Sequence, residues 1–224
     1  MSTLPRSVIP ASQIEDDGYD WFKRHDAIAE RVKQRKYQLV LLGASMFHYW
    51  EGDRPGFGEY GTEAWNETMT QYNVLNLGFG FDRTQNMLWR LEHGELDGQT
   101  PDLIILHGGN NLKQTSNYPG DTPEEAAEGL IAVLKKLREL CPDAELLYLT
   151  FRNEPLIAQM NEGVRTFIKT ENNMTFFDCA ADFYNSDNTL NTALFLGDKC
   201  HLNNDGYRVL IKALYPRFAK LQSK

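Results

Sequence analysis

In the stretch YQLVLLGASMFHYW (residues 37–50), four aliphatic residues, Leu39 to Leu42, give way to Gly43-Ala44-Ser45. A hydroxyl delivered at the end of such a run can serve as a nucleophile. It then needs a base to take its proton and a third group to hold that base in one tautomer. Five histidines compete for the role. His25 falls on the apolar face of a helical pattern and reads as a packed, satisfied side chain. His93 precedes Gly94 near a helix end, where a cation suits the helix dipole, and reads as structural. His107 closes an apolar run and is placed to line a site. His48, three residues past Ser45, could touch a substrate but has no carboxylate near it in sequence. His201 is the only histidine with an aspartate, Asp198, three residues earlier. A turn of that length can set the carboxylate on Nδ1 and leave Nε2 free for Ser45.

A nucleophile acting on an ester also needs donors where negative charge develops. Asn110, in HGGNN (residues 107–111), offers a side-chain amide, and Ser45 offers its own N–H. The glycine-rich turn in NLGFGFDRTQN (residues 76–86) can supply a further backbone N–H. The same turn does not complete a dinucleotide fingerprint, because Arg83 stands where G-x-G-x-x-G needs its last glycine. No G-x-S-x-G nucleophile elbow is present. Cys200, beside His201, reads as a small packing residue.

Elements that could bring these residues together are legible as pattern. A helix is expected from Tyr19 to Gln34, with Phe22, His25, Ile28, Ala29 and Val32 at helical spacing. Five apolar runs follow, at residues 38–42, 73–77, 103–107, 145–150 and 174–178. They lack strict alternation, as strands covered on both faces do. Helical patterns lie between them, at residues 62–72, 83–92, 122–140, 155–169 and 204–220. Thr122 reads as the cap of the third, with Pro123 and Glu124 in its first turn.

Such alternation implies an α/β fold with helices on both faces of a parallel sheet. For five strands the expectation is a flavodoxin-like three-layer α/β/α sandwich of order 2-1-3-4-5. Strands 1 and 3 then meet at the switch point, and Ser45 and Asn110 share one crevice. Residues 1–17 read as an N-terminal extension and 18–224 as a single domain.

The bulk properties exclude several classes. A net charge of −8 argues against a nucleic-acid partner. No run approaches the length of a membrane helix, and the first residues lack the apolar core of a signal peptide. The three cysteines, Cys141, Cys179 and Cys200, form neither a disulfide framework nor a zinc site. A cytoplasmic location, no metal and no cofactor are the expectations. The sequons at Asn66 and Asn173 would matter only on a secretory route. Two readings compete, a binding or assembly module of impaired chemistry and a flavin or nucleotide on this sheet, and the glycine pattern offers the latter little.

Four separated segments also match one family pattern in order and spacing. They are Gly43-Ala44-Ser45, GFGFDRTQNMLWRLEHGELDG, Gly108-Gly109-Asn110 and Asp198 to His201. The chain resembles the SGNH (GDSL-type) hydrolases, most closely the branch of the platelet-activating-factor acetylhydrolase catalytic subunits. The resemblance implies hydrolysis of small or acyl esters without metal, with Ser45 as nucleophile, His201 as base and Asp198 as orienting acid. The implied oxyanion donors are Ser45, Phe81 and Asn110. Phe47, His48 and Phe81 are the candidate pocket residues, and a homodimer is a candidate assembly by the same analogy. Two positions depart from the pattern. Ala44 replaces the aspartate of G-D-S, and Phe81 replaces the oxyanion glycine. A phenylalanine keeps the N–H, but any positive φ there becomes costly. The expectation is that Phe81 keeps its donor and lends its ring to one wall of the pocket.

Overall fold

The computed structural model describes residues 4–52 and 60–222. Strands β1 (Leu39–Gly43), β2 (Val74–Gly78), β3 (Leu103–His107), β4 (Glu145–Thr150) and β5 (Met174–Asp178) form one parallel sheet of order β2-β1-β3-β4-β5. The register aligns the carboxyl ends of the three strands that matter most. Gly43 lies opposite Gly78, and Leu42 lies opposite Leu106. The switch point between β1 and β3 therefore opens directly beside Ser45 and the loop after His107.

Alternate strand residues feed two separate cores. Val40, Leu42, Ile104, Leu106 and Leu146 face one side, where α1 (Trp21–Gln34), α4 (Thr84–Glu92), α5 (Pro123–Leu140) and α6 (Pro155–Ile168) cover them. Leu39, Leu41, Ile105, Leu147 and Leu149 face the other, against α3 (Thr62–Thr68) and α7 (Asn204–Gln222). Strands buried on both faces cannot alternate polar with apolar residues, which explains their continuous runs. Thr122 caps α5 as its sequence implies. Its hydroxyl accepts from the Glu125 N–H at 3.2 Å, and the Glu125 carboxylate accepts from the Thr122 N–H at 2.9 Å.

Two elements differ from expectation. The helix expected over residues 62–72 tightens at Met69–Gln71 into a 3-10 turn. Ser45 opens a four-residue helix, α2 (Ser45–His48), where a plain loop was expected. The residues ahead of α1 lie along α4 and α5. The Ser7 carbonyl accepts from Thr84 Oγ1 at 2.7 Å, and the Ser12 carbonyl accepts from Asn86 Nδ2 at 2.6 Å. None of the described helices is long and apolar enough to cross a membrane.

Candidate active site

Ser45 is held by the elements around it rather than by its own loop. As the first residue of α2 it has an N–H with no intrahelical acceptor, free to face a ligand. The helix is pinned from two sides. Asn76 Nδ2 donates to the Phe47 carbonyl at 2.8 Å, and the Tyr207 hydroxyl of α7 donates to the Met46 carbonyl at 2.7 Å. α2 also rests directly on Gly78, where an added Cβ would lie 2.1 Å from the His48 nitrogen. Only glycine at the end of β2 lets the helix of Ser45 come this close.

The Ser45 hydroxyl meets His201 Nε2 at 2.8 Å, and His201 Nδ1 donates to Asp198 Oδ2 at 2.5 Å. The other oxygen of Asp198 accepts from the N–H groups of Cys200 and His201, at 2.9 and 3.0 Å. Burial works to raise the Asp198 carboxyl. The hydrogen bonds from the His201 ring and from these two N–H groups outweigh it and hold the group below its ordinary range. The turn carrying both residues is tight, with Lys199 at φ +54°. Arg152, at the end of β4, donates from Nη1 to the Lys199 carbonyl at 3.0 Å and is itself paired with Glu154. The rings of Tyr49 and Tyr60 flank His201, with centroids 5.4 and 5.6 Å away.

In the turn after β2, Phe81 adopts φ +62°, the left-handed conformation that a side chain disfavours. Among the described residues its N–H donates to no acceptor. The turn is fixed from behind by a buried charge network. Arg90 Nε donates to Asp82 Oδ2 at 2.9 Å, Trp21 Nε1 donates to Asp82 Oδ1 at 2.8 Å, and Arg90 also pairs with Glu95. Burial pushes the Asp82 carboxyl up to about 7, and Arg90 and the Trp21 hydrogen bond only partly offset it. The Asp82 carbonyl accepts from the Asn110 N–H at 2.9 Å and lies 3.3 Å from its Nδ2. Arg83, fully buried, donates to the Asn110 carbonyl, to the Lys113 carbonyl at 3.0 Å, and to Glu15 at 2.8 Å. One short segment, Phe81-Asp82-Arg83, thus positions two of the expected oxyanion donors.

A cavity of about 560 Å³ opens beside Ser45, between the carboxyl ends of β3 and β4 and the first turns of α6. Ala44, His107 and Asn110 border it. Phe47, His48 and Phe81, expected in the pocket, do not. Phe47 and His48 are buried in the layer beneath α2, where His48 Nδ1 accepts from the Gly80 N–H at 2.9 Å. The Phe81 ring lies under the Lys113 ammonium, 4.4 Å from its centroid. Cys200, expected as a packing residue, is exposed at the cavity's edge. His25 is packed as expected, its Nδ1 2.9 Å from Glu95. His107 donates from Nδ1 to the Leu149 carbonyl at 3.0 Å, and burial lowers its affinity for a second proton. Among the described residues, no group of three or more His, Cys, Asp or Glu converges as a metal site. Sequence reasoning missed Arg83 and Arg152. The only signal for Arg83 was an arginine inside a glycine turn, and Arg152 carried none.

Fold and family together define the class, an acylhydrolase built on a flavodoxin-like parallel sheet. Residues 41–209 match the GDSL-like lipase/acylhydrolase family, and the chain belongs to it. It is 28% identical over 220 residues to the human platelet-activating factor acetylhydrolase IB subunit alpha1, covering 95% of this chain and 88% of that protein. The alpha2 subunit from Rattus norvegicus is 25% identical over 224 residues, covering 96% and 91%. Among solved structures, a carbohydrate esterase family 3 protein from Talaromyces cellulolyticus superposes with a TM-score of 0.57. The match has 13% identity and covers 84% of this chain and 99% of that one. At that identity the likeness speaks for the fold.

Proposed function

We propose that the chain is a serine ester hydrolase working through an acyl-enzyme. The observation that carries this reading is the unbroken line of hydrogen bonds from Ser45 through His201 to Asp198. His201 Nε2 takes the hydroxyl proton as Ser45 Oγ attacks the ester carbonyl. Asp198 holds the ring's tautomer and stabilises the imidazolium. The N–H groups of Ser45 and Phe81 and the amide of Asn110 receive the oxyanion. His201 then delivers its proton to the departing alcohol, and a water molecule repeats the sequence to release the acid. The mechanism draws on side chains and backbone N–H groups, without metal or cofactor.

Acetyl esters, including acetylated sugars, are the first substrates to assay. Support comes from the acetylhydrolase subunits among the similar proteins. The test is hydrolysis of p-nitrophenyl acetate by wild type, Ser45→Ala and His201→Ala, with fluorophosphonate labelling of Ser45. Each substitution should cost about 10⁴-fold or more in kcat. A second reading, a binding module of impaired chemistry, is favoured by Ala44 and by the left-handed Phe81. Turnover lost in Ser45→Ala excludes it, and equal rates in all three proteins would favour it.

A further inference from the structure

The cavity beside Ser45 has a composition that bears on which ester the site takes. Its inner wall is formed by the rings of Tyr148 and Phe151, and its outer wall by Leu156, Ile157 and Met160 of α6. The polar side chains of the inner wall are engaged with one another or with backbone. Tyr148 donates its hydroxyl to Asn161 Oδ1 at 2.8 Å, and Asn161 Nδ2 donates to Thr150 Oγ1 at 3.0 Å. His107 Nδ1 donates to the Leu149 carbonyl, and Arg152 is held by Glu154 and Lys199. Beyond Lys113 and Glu154 Oε2 at its border, the latter unpartnered among the described residues, a sugar here would bring hydroxyls that find few partners, whereas an alkyl chain asks for none. Leu156, 58% exposed, extends the apolar surface to the rim.

The position of the cavity decides which half of the ester it holds. A tetrahedral intermediate on Ser45 has three further substituents. Its oxyanion points to the N–H groups and Asn110. Its leaving oxygen must lie at His201 Nε2, which supplies the proton, on the side flanked by Tyr49 and Tyr60. The remaining substituent is the acyl chain. The cavity borders Ser45 and Asn110 but neither His201 nor Phe81, so it lies where that chain must go. We propose that this cavity is an acyl subsite taking an aliphatic chain several carbons longer than acetyl. The inference rests on Ser45 acting as the nucleophile.

The experiment measures kcat/KM for p-nitrophenyl acetate, butyrate, hexanoate and octanoate. Wild type, Leu156→Asp and Met160→Trp are compared, with fluorophosphonate labelling of Ser45 in each. Burying each methylene should raise kcat/KM about 4-fold until the cavity is full. In both variants the ratio of hexanoate to acetate should fall back towards unity. Leu156→Asp lies on the surface, so it reads the subsite even if the tryptophan does not fit. Ser45-dependent turnover that is fastest on acetate, with the same chain-length profile in all three proteins, overturns the subsite and leaves the serine mechanism standing. No turnover of any ester, with Ser45 unlabelled, overturns both.

Discussion

Replacing Phe81 with glycine and, separately, with alanine tests the oxyanion turn, because the two changes differ only in how they meet a φ of +62°. A residue with a Cβ held in the left-handed region costs about 1 to 2 kcal/mol. Alanine keeps that cost and loses the ring beneath Lys113, a cation–π contact of about 0.5 to 1 kcal/mol at an exposed ammonium. Glycine loses the same contact but sheds the strain, at about 0.5 to 1 kcal/mol of extra chain entropy. Phe81→Gly should therefore lie within about 1 kcal/mol of wild type, and Phe81→Ala should be the less stable of the pair. This inverts the usual order of alanine over glycine. Urea unfolding, with midpoints compared at equal slope, reads the stabilities. Both variants keep the N–H, so kcat/KM on a nitrophenyl ester should stay within about threefold of wild type, against the roughly 100- to 1000-fold that follows loss of an oxyanion donor. Alanine as stable as glycine would refute the left-handed backbone at this position. A 100-fold rate loss in both variants would show that the ring itself contributes to turnover.

Other substitutions probe the supports of the site. Gly78→Ala places a Cβ against the backbone of His48 and Phe47, which cannot rotate away. It should cost about 1 to 3 kcal/mol of overpacking and lower kcat by displacing α2, read by thermal unfolding and ester turnover. Arg83→Met leaves Glu15 without its buried cation and Asn110 without its backbone anchor. A loss of about 3 to 5 kcal/mol is expected in urea unfolding, with turnover falling towards that of Asn110→Ala. His107 gives a pH signature. Burial sets its folded value below the ordinary 6.5, so under acid the unfolded chain takes up a proton that the folded one refuses. Stability should therefore fall as pH drops through and below 6.5, and the fall should be shallower in His107→Gln, measured by urea midpoints across pH.

The parts of this protein that were legible in its sequence are those that local physics fixes. Continuous aliphatic runs such as Leu103 to Leu106 announce strands covered on both faces. Thr122, Pro123 and Glu124 announce the start of α5. The strand order follows from connection rules, and from it the meeting of β1 and β3 beside Ser45. Phe47 and His48 escaped the same logic, since nearness to Ser45 in sequence said nothing about which way each residue faces on α2. The roles of Arg83 and Arg152 were invisible for a different reason. Each acts through backbone carbonyls 27 or more residues away, and a carbonyl leaves no mark in a sequence. The left-handed Phe81 marks where local preference gives way to the packing of Asp82, Arg90 and Trp21 behind it.

Ser45 and His201 lie 156 residues apart in the chain, and the hydroxyl of Tyr207, on the helix that follows His201, locks the carbonyl of Met46. During synthesis Ser45 emerges early and His201 emerges only after every strand of the sheet. A contact of such long sequence separation forms late, since its loop-closure entropy is recovered only once the intervening elements are in place. A partly made chain therefore carries an ordinary, unreactive serine. In refolding, the recovery of turnover should trail the recovery of helical signal, making the chemistry itself a clock for the docking of α7.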